Sequence, residues 1–319
     1  MDRRRFISSA GLTVIGTLAT GSAIQGCGTK VNPVPIRNSN PQKALVLWYS
    51  QTGNTERMGR LIASVLESDG LTVESGDLRQ ADHSEIERYD ILLVGVPVHY
   101  ADIPKNVKGW LEGLPDLNGI AAGAWVTHGK PGFNDVNTCC RVLEMLAAKG
   151  AATVGMVTFT NMNTFPLFWT LGSEERILKA RDLPDEESFD KARQFAGRFL
   201  DDVRSGRTNE PDKEFSLVDM SRPLNTAWWT KQAINRHCIA KDYCINCGVC
   251  EQICPVGAIN LADYSIDTKS CIVCMGCVNN CPTEALEMEV FGSPIVGFKR
   301  FCEKNDVVFN DPPELAPRS

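Results

Sequence analysis

The chain has no excess of positive charge. Its formal net charge is −6 at pH 7, which argues against the counterion-releasing contacts that give nucleic-acid binders their affinity. It also lacks a strongly apolar run of membrane-spanning length. The N-terminal stretch from Ala10 to Ile24 is diluted with Gly, Ala and Thr, whereas a spanning helix takes about 20 predominantly apolar residues. No G-x-G-x-x-G occurs, so a nicotinamide dinucleotide has no phosphate turn to sit on and direct use of NAD(P)H is not expected. No G-x-x-x-x-G-K-[ST] occurs either, so the chain has no Lys-bearing loop for a triphosphate. Cysteine, by contrast, is abundant, with 13 in 319 residues.

Eight of these cysteines form two runs. Cys244, Cys247, Cys250 and Cys254, closed by Pro255, return 27 residues later as Cys271, Cys274, Cys277 and Cys281, closed by Pro282. In the C-x2-C-x2-C-x3-C-P spacing, three thiolates grip one cubane and the fourth, one helical turn on, ligates the other cluster, as in bacterial two-cluster ferredoxins. The spacing therefore predicts one [4Fe–4S] cluster on Cys244, Cys247, Cys250 and Cys281. It predicts a second on Cys271, Cys274, Cys277 and Cys254. Zinc also accepts C-x2-C pairs, but it would leave the third Cys of each triplet and the C-P ending surplus. Eight Cys at this spacing would be an odd disulfide framework. The match extends beyond the ligands, since Ala258 and Ile259 correspond to Ala285 and Leu286. Ala258 and Leu286 are expected to shield the clusters.

Residues 43–206 alternate short apolar runs with amphipathic patterns. Strands are expected at Ala44–Tyr49, from Leu71, at Ile91–Val96, at Ala124–Thr127 and from Ala152 to Phe159. A helix carrying Met58, Leu61, Ile62, Val65 and Leu66 follows the first strand, with others near 104–113, 135–149 and 184–205. Five βα units predict an α/β fold with a doubly wound parallel sheet. Between the first strand and its helix lies Ser50-Gln51-Thr52-Gly53-Asn54-Thr55. Its hydroxyls and the backbone N–H groups at a helix start make an anion nest suited to a monophosphate. The bland reading is a hydroxyl-rich helix cap.

This loop resembles the FMN phosphate loop of flavodoxins, and the resemblance spans about residues 43–206. With the two cysteine runs behind it, the chain resembles the flavodoxin–ferredoxin fusions. The resemblance implies a flavodoxin-like five-stranded sheet holding FMN, then a small bacterial-type 2[4Fe–4S] ferredoxin domain. It places the flavin ring between Pro97-Val98-His99-Tyr100 and His128-Gly129-Lys130. Tyr100 would stack on the ring or border it, His99 and His128 would hydrogen-bond to it, and Lys130 would balance a reduced, anionic ring. The alternatives are polar loop histidines and a solvated lysine. Where family members often carry a Met-Pro-Glu-Asn-like segment, this chain reads Asn161-Met162-Asn163-Thr164-Phe165-Pro166. The aromatic run Phe165, Phe168 and Trp169 that follows would cover the flavin, cover the neighbouring domain, or be simple core.

The front of the chain reads as an export signal over 1–27. Arg3-Arg4-Arg5-Phe6-Ile7, a weakly apolar stretch and Gly26-Cys27 follow in order. The arginine pair resembles a twin-arginine (Tat) signal, and Cys27 resembles the lipidated Cys of a lipoprotein, although Gln25 departs from the usual small residue. Without cleavage the segment would serve as a thin anchor. A route that exports folded protein suits cofactors inserted in the cytoplasm. Residues 28–42, rich in Pro, Asn and Ser, read as a tether. Residues 207–237 read as a linker whose Trp228 and Trp229 pack on a neighbour, 238–290 as the ferredoxin domain, and 291–319 as a C-terminal tail ending loose.

Of the other cysteines, Cys139 and Cys140 read as buried packing residues, with a redox-active pair as the alternative. Cys238 and Cys302 fit neither cluster. The function expected is electron transfer between FMN and two [4Fe–4S] clusters in an exported, membrane-anchored protein served by a redox protein partner. The alternatives are a flavoenzyme that reduces a small acceptor such as a quinone, and a scaffold without flavin.

Overall fold

A computed structural model of the chain describes residues 34–129, 134–214 and 227–315. The expected export signal, Cys27 and Lys130 lie outside the described residues. Strands β1 (Lys43–Trp48), β2 (Thr72–Asp77), β3 (Ile91–Pro97), β4 (Ala121–His128) and β5 (Ala152–Thr160) form one sheet. Its order is β2-β1-β3-β4-β5, and every pairing is parallel. The order reverses at β1, so loops leaving β1 and β3 diverge and open a crevice at the carboxyl ends of the strands.

Alternate residues of each strand feed two cores, as the period of two requires. Val46, Trp48 and Leu93 face helices α1 (Asn54–Ser68) and, after four others, α6 (Glu186–Arg204). Leu45, Leu47, Leu92 and Val94 face α2 (Lys105–Glu112) and α3 (Asp135–Ala147). Cys139 belongs to the second core, and burial pushes its thiol well up; Cys140 is pushed up to about 11. Both pack as apolar residues. The second βα unit departs from expectation. After β2 the chain makes only two 3₁₀ turns, Leu78–Gln80 and His83–Arg88, capped by Asp77 and Asp82. Those caps bond to the N–H two residues on, which favours a tight turn over an α-helix.

Between β5 and α6 the chain inserts two short helices, α4 (Leu167–Thr170) and α5 (Glu174–Leu178). Beyond the sheet domain come α7 (Ala227–Ala233), β6 (Ile234–Ile239), α8 (Val249–Ile253), the ribbon β7 (Ile259–Asn260) and β8 (Ser265–Ile266), α9 (Gly276–Asn280), β9 (Leu286–Val290), β10 (Ser293–Pro294) and α10 (Phe298–Lys304). An antiparallel sheet β10-β9-β6 and the β7–β8 ribbon hold the cysteine-rich module together. Its repeat is visible in the backbone. Asn246, Gly248 and Gly257 have positive φ, as do Val273, Met275 and Glu284, each 27 residues on.

Three readings from composition need correction. From Arg37 the expected tether is pinned: its N–H donates to the Gly119 carbonyl at 2.9 Å, and Asn38 and Gln42 bond Asp90. The expected linker already contains β6, and Trp228 and Trp229 are each 55% exposed, packing edge-on against one another at 4.4 Å. The C-terminal stretch is held through Leu315 rather than loose. Asp311 pairs with Arg57 at 2.5 Å and Glu314 with Arg193 at 2.7 Å, both on helices of the sheet domain. These partners lie more than 100 residues away in sequence, so local composition is blind to them. Among the described residues, no helix is long and apolar enough to cross a membrane.

Gly95 opposes Trp125 across the β3–β4 ladder, and a methyl group there would collide with the indole. That indole donates from Nε1 to the Thr55 carbonyl at 3.2 Å, so the sheet interior supports the first turn of α1. Gly95→Ala is expected to cost about 1–3 kcal/mol, the usual penalty of overpacking, and to loosen that turn. Chemical denaturation of wild type and variant measures the loss.

Candidate functional site

The turn after β1 is built to leave donors free. Gly53 sits at φ 90° and caps α1 without any side-chain bond, so the first N–H groups of a 15-residue helix lack intrahelical partners and carry its positive dipole end. The Gly53 N–H donates to Ser50 Oγ at 3.2 Å, and Thr55 Oγ1 lies 2.7 Å from Thr127 Oγ1 on β4. Gln51, Asn54 and Thr55 are buried.

In front of this turn lies a cavity of about 470 Å³. Gln51 and Asn54 line it, whereas Ser50, Thr52, Gly53 and Thr55 form the turn behind. Pro97, Val98, His99, Tyr100, His128 and Gly129 all line it too. Burial pushes His99 down to about 4, so its ring is neutral. His128 lies 3.3 Å from Asp135 through Nε2. Sequence reasoning missed Thr127, Asn161 and Arg176 on the wall, and placed Phe165 and Phe168 there only as one option among three. Most notably it missed Val273, Cys274 and Asn279, which come from the cysteine-rich module. No local signal marks residues brought in from so far along the chain.

The contact between the two parts is dense and polar. Tyr100, at φ 50°, donates its hydroxyl to the Val273 carbonyl at 3.0 Å. Asn280 donates to the Gln51 carbonyl at 2.8 Å, Asn279 to the Thr164 carbonyl at 3.2 Å, and Arg79 to the Ile253 carbonyl at 3.1 Å. Trp169 stacks on Phe301 with centroids 4.2 Å apart and bonds the Val296 carbonyl at 2.9 Å. The aromatic run thus serves two ends, with Phe165 and Phe168 on the cavity and Trp169 in the junction.

The cysteines fall into two neighbourhoods. Cys254, Cys271, Cys274 and Cys277 line one small apolar cavity with Ile272, Met275 and Met288. Cys250 lies in the electrostatic field of Cys281 and Cys244, and Cys247 is exposed. Each neighbourhood includes a thiol from the other run. Burial pushes Cys274 and Cys250 up to about 11, and Cys277 well up. Burial thus favours the protonated form of these three thiols, and a cluster bound on them must displace those protons. Val273, β-branched, is held at φ 54° between two of these cysteines, a conformation that costs of order 1–3 kcal/mol and concentrates at functional sites. Its equivalent in the first repeat, Asn246, tolerates that conformation better. Cys238 lies on β6, where Arg236 donates to its sulfur at 3.1 Å, whereas Cys302 is buried beside Phe298 and Phe301. The two are not bonded to each other.

A flavodoxin family model matches residues 46–194, and a 4Fe-4S binding domain model matches 237–260 and 264–287. The chain carries a flavodoxin domain followed by a 4Fe–4S ferredoxin domain. It is similar to a flavodoxin of Clostridium saccharobutylicum, at 30% identity over 24% of this chain and 48% of that one. It is also similar to an uncharacterised ferredoxin of Methanocaldococcus jannaschii, at 33% identity over 16% of this chain and 75% of that one. A third relative is one of the subunits of the ion-translocating oxidoreductase complex of Methanosarcina acetivorans, at 43% identity over 14% of this chain and 18% of that one. The chain thus spans under half of the Clostridium protein and under a fifth of the Methanosarcina one.

The flavodoxin domain implies FMN and the two repeats imply two [4Fe–4S] clusters. The residues present fit both. The cavity lies within the roughly 300–1,000 Å³ of ligand pockets, with aromatic walls at Tyr100, Phe165 and Phe168 and a polar end at Gln51 and Asn54. Asn161 Oδ1, buried on its wall, has no partner among the described residues, which leaves an acceptor for a ring N–H. Four thiols around an apolar cavity suit the ferredoxin cluster in the same way. Replacing Thr52 and Thr55 together by Ala is expected to weaken FMN binding by about tenfold or more, the loss of one or two net hydrogen bonds. Flavin-fluorescence titration of the flavin-free variant checks it.

Proposed function

We propose that this protein is an exported, membrane-anchored electron-transfer protein whose clusters form a two-step path to the flavin site. The observation that carries the proposal is Cys274. It lines the flavin cavity together with Gln51, His99 and Tyr100, and it also lines the cavity shared by Cys254, Cys271 and Cys277. One residue belongs to both sites, so a cluster held there adjoins the flavin. FMN supplies two-electron storage with single-electron release, and each cluster carries one electron. The chain supplies position. Tyr100 ties the flavin loop to the cluster loop through Val273, and Gln51 and Asn280 tie the phosphate turn to α9.

In this reading Cys271, Cys274, Cys277 and Cys254 hold the inner cluster, and Cys244, Cys247, Cys250 and Cys281 hold the outer one. The outer set reaches the surface at Cys247, which is exposed, and Tyr243 and Ile245 near it are 66% and 63% exposed. This surface suits a protein partner that delivers or collects electrons, in keeping with the redox-complex membership of the Methanosarcina relative. Joining the carriers in one chain replaces a bimolecular encounter with an intramolecular one.

Cys254→Ser is expected to alter the EPR signal of the inner cluster, leave the outer one, and stop flavin reduction by a donor that reduces the outer cluster. Cys281→Ser is expected to do the reverse to the two signals. Loss of the outer signal in Cys254→Ser would refute the exchanged ligation. Rapid-mixing absorbance of the anaerobic protein separates a relay from a flavoenzyme, since fast turnover of a small quinone independent of any protein partner would favour the second. Replacing both Arg4 and Arg5 with Lys is expected to block export, and Cys27→Ser to release the protein from the membrane fraction, as read by cell fractionation.

A further inference from the structure

His237 lies on β6, paired with Met288 of β9. It lines the small cavity that Cys254, Cys271, Cys274 and Cys277 share. Its Nε2 is fully buried and has no hydrogen-bond partner among the described residues. Besides the four cysteines, that wall is lined by apolar side chains, Val256, Ile259, Ile266 and Met288 among them. A buried ring nitrogen facing such a wall has only sulfur to bond. An imidazole nitrogen can serve as an N–H donor. On the strand the neighbours Arg236 and Cys238 fall on the opposite face, where both contact Glu287, as the period of two requires.

The repeat supplies an internal control. Position 237 opens the first matched repeat and Tyr264, 27 residues on, opens the second. The Tyr264 hydroxyl is already committed to Asn246 Oδ1 at 2.9 Å. The equivalent donor in the second repeat is therefore spent, and the one in the first repeat is not.

We propose that His237 donates a hydrogen bond from Nε2 to a sulfur of the inner cluster and thereby raises the potential of that cluster alone. A reduced cluster carries one more negative charge than an oxidised one, so a donor aimed at its sulfur favours the reduced form. His237 is a positioning and tuning residue, not a ligand. The inference rests on the ligand sets proposed above.

The test is a potentiometric EPR titration of the full chain with both clusters and FMN, comparing wild type, His237→Phe and His237→Gln. In His237→Phe the ratio of reduced to oxidised inner cluster at fixed poise is expected to fall about tenfold, which for one electron is about 59 mV. The outer cluster should not move, and His237→Gln, which retains a donor, should recover most of the shift. No shift in His237→Phe, or an equal shift of both clusters, would overturn the proposal. Should His237→Phe fail to retain about eight irons, wild-type protein labelled with ¹⁵N-histidine gives a second readout. A nitrogen hyperfine coupling is then expected on the reduced inner cluster that is lost in His237→Gln, and its absence from wild type overturns the proposal. Unchanged potentials with normal flavin reduction would sink the His237 inference and leave the relay standing. A shifted potential without flavin reduction would do the opposite.

Discussion

The architecture depends on the seating of one loop. Residues 271–277 close the flavin cavity with Val273 and Cys274, and the Tyr100 hydroxyl holds the loop there through the Val273 carbonyl. Electron tunnelling weakens steeply with distance, so a domain pair joined only by a flexible linker would spend most of its time too far apart to exchange charge. Here the bond is made between two strained backbones. Tyr100 and Ala101 on one side, and Val273 and Met275 on the other, all have positive φ. Each costs free energy in isolation, and each persists because the packing around it leaves no alternative.

That seating is backed by a broad clamp. The insertion after β5 sends Trp169 onto Phe301, while Asp311 and Glu314 return to α1 and α6. The exposed ion pairs add little individually, but the buried aromatic stack contributes more. Together they fix the C-terminal segment against the sheet domain, so the cysteine-rich module is held there as well as at the Val273 loop.

The two cluster neighbourhoods are alike in backbone and unlike in surroundings. One is buried against the flavin cavity; the other carries an exposed cysteine and two exposed apolar neighbours. A duplicated unit placed against an asymmetric partner becomes functionally asymmetric without any change in its ligands. Exposure is one of the properties that set cluster potential, and it differs between the sites.

The sequence by itself determined what could be read from short-range periodicity and spacing. The Cys244–Pro255 and Cys271–Pro282 runs, the turn at Ser50–Thr55 and the apolar runs of β1, β3, β4 and β5 each carry their meaning within a dozen residues, because ligand geometry, helix-start donors and strand pleating are local. The 3₁₀ turns after β2 take the place of the helix that five βα units would imply, because the Asp77 and Asp82 side chains cap tight turns locally. Tertiary structure alone decided which cysteine reaches the cavity in front of the β1 turn, that Cys274 lines two cavities, and that residues through Leu315 are held down. It also decided that His237 lines the cavity of the second cysteine group. The seating of the cysteine loop and of the C-terminal stretch arises from contacts such as Tyr100–Val273 and Arg57–Asp311, 173 and 254 positions apart, whose partners are chosen by the packing of whole elements and leave no trace in any local stretch of the chain.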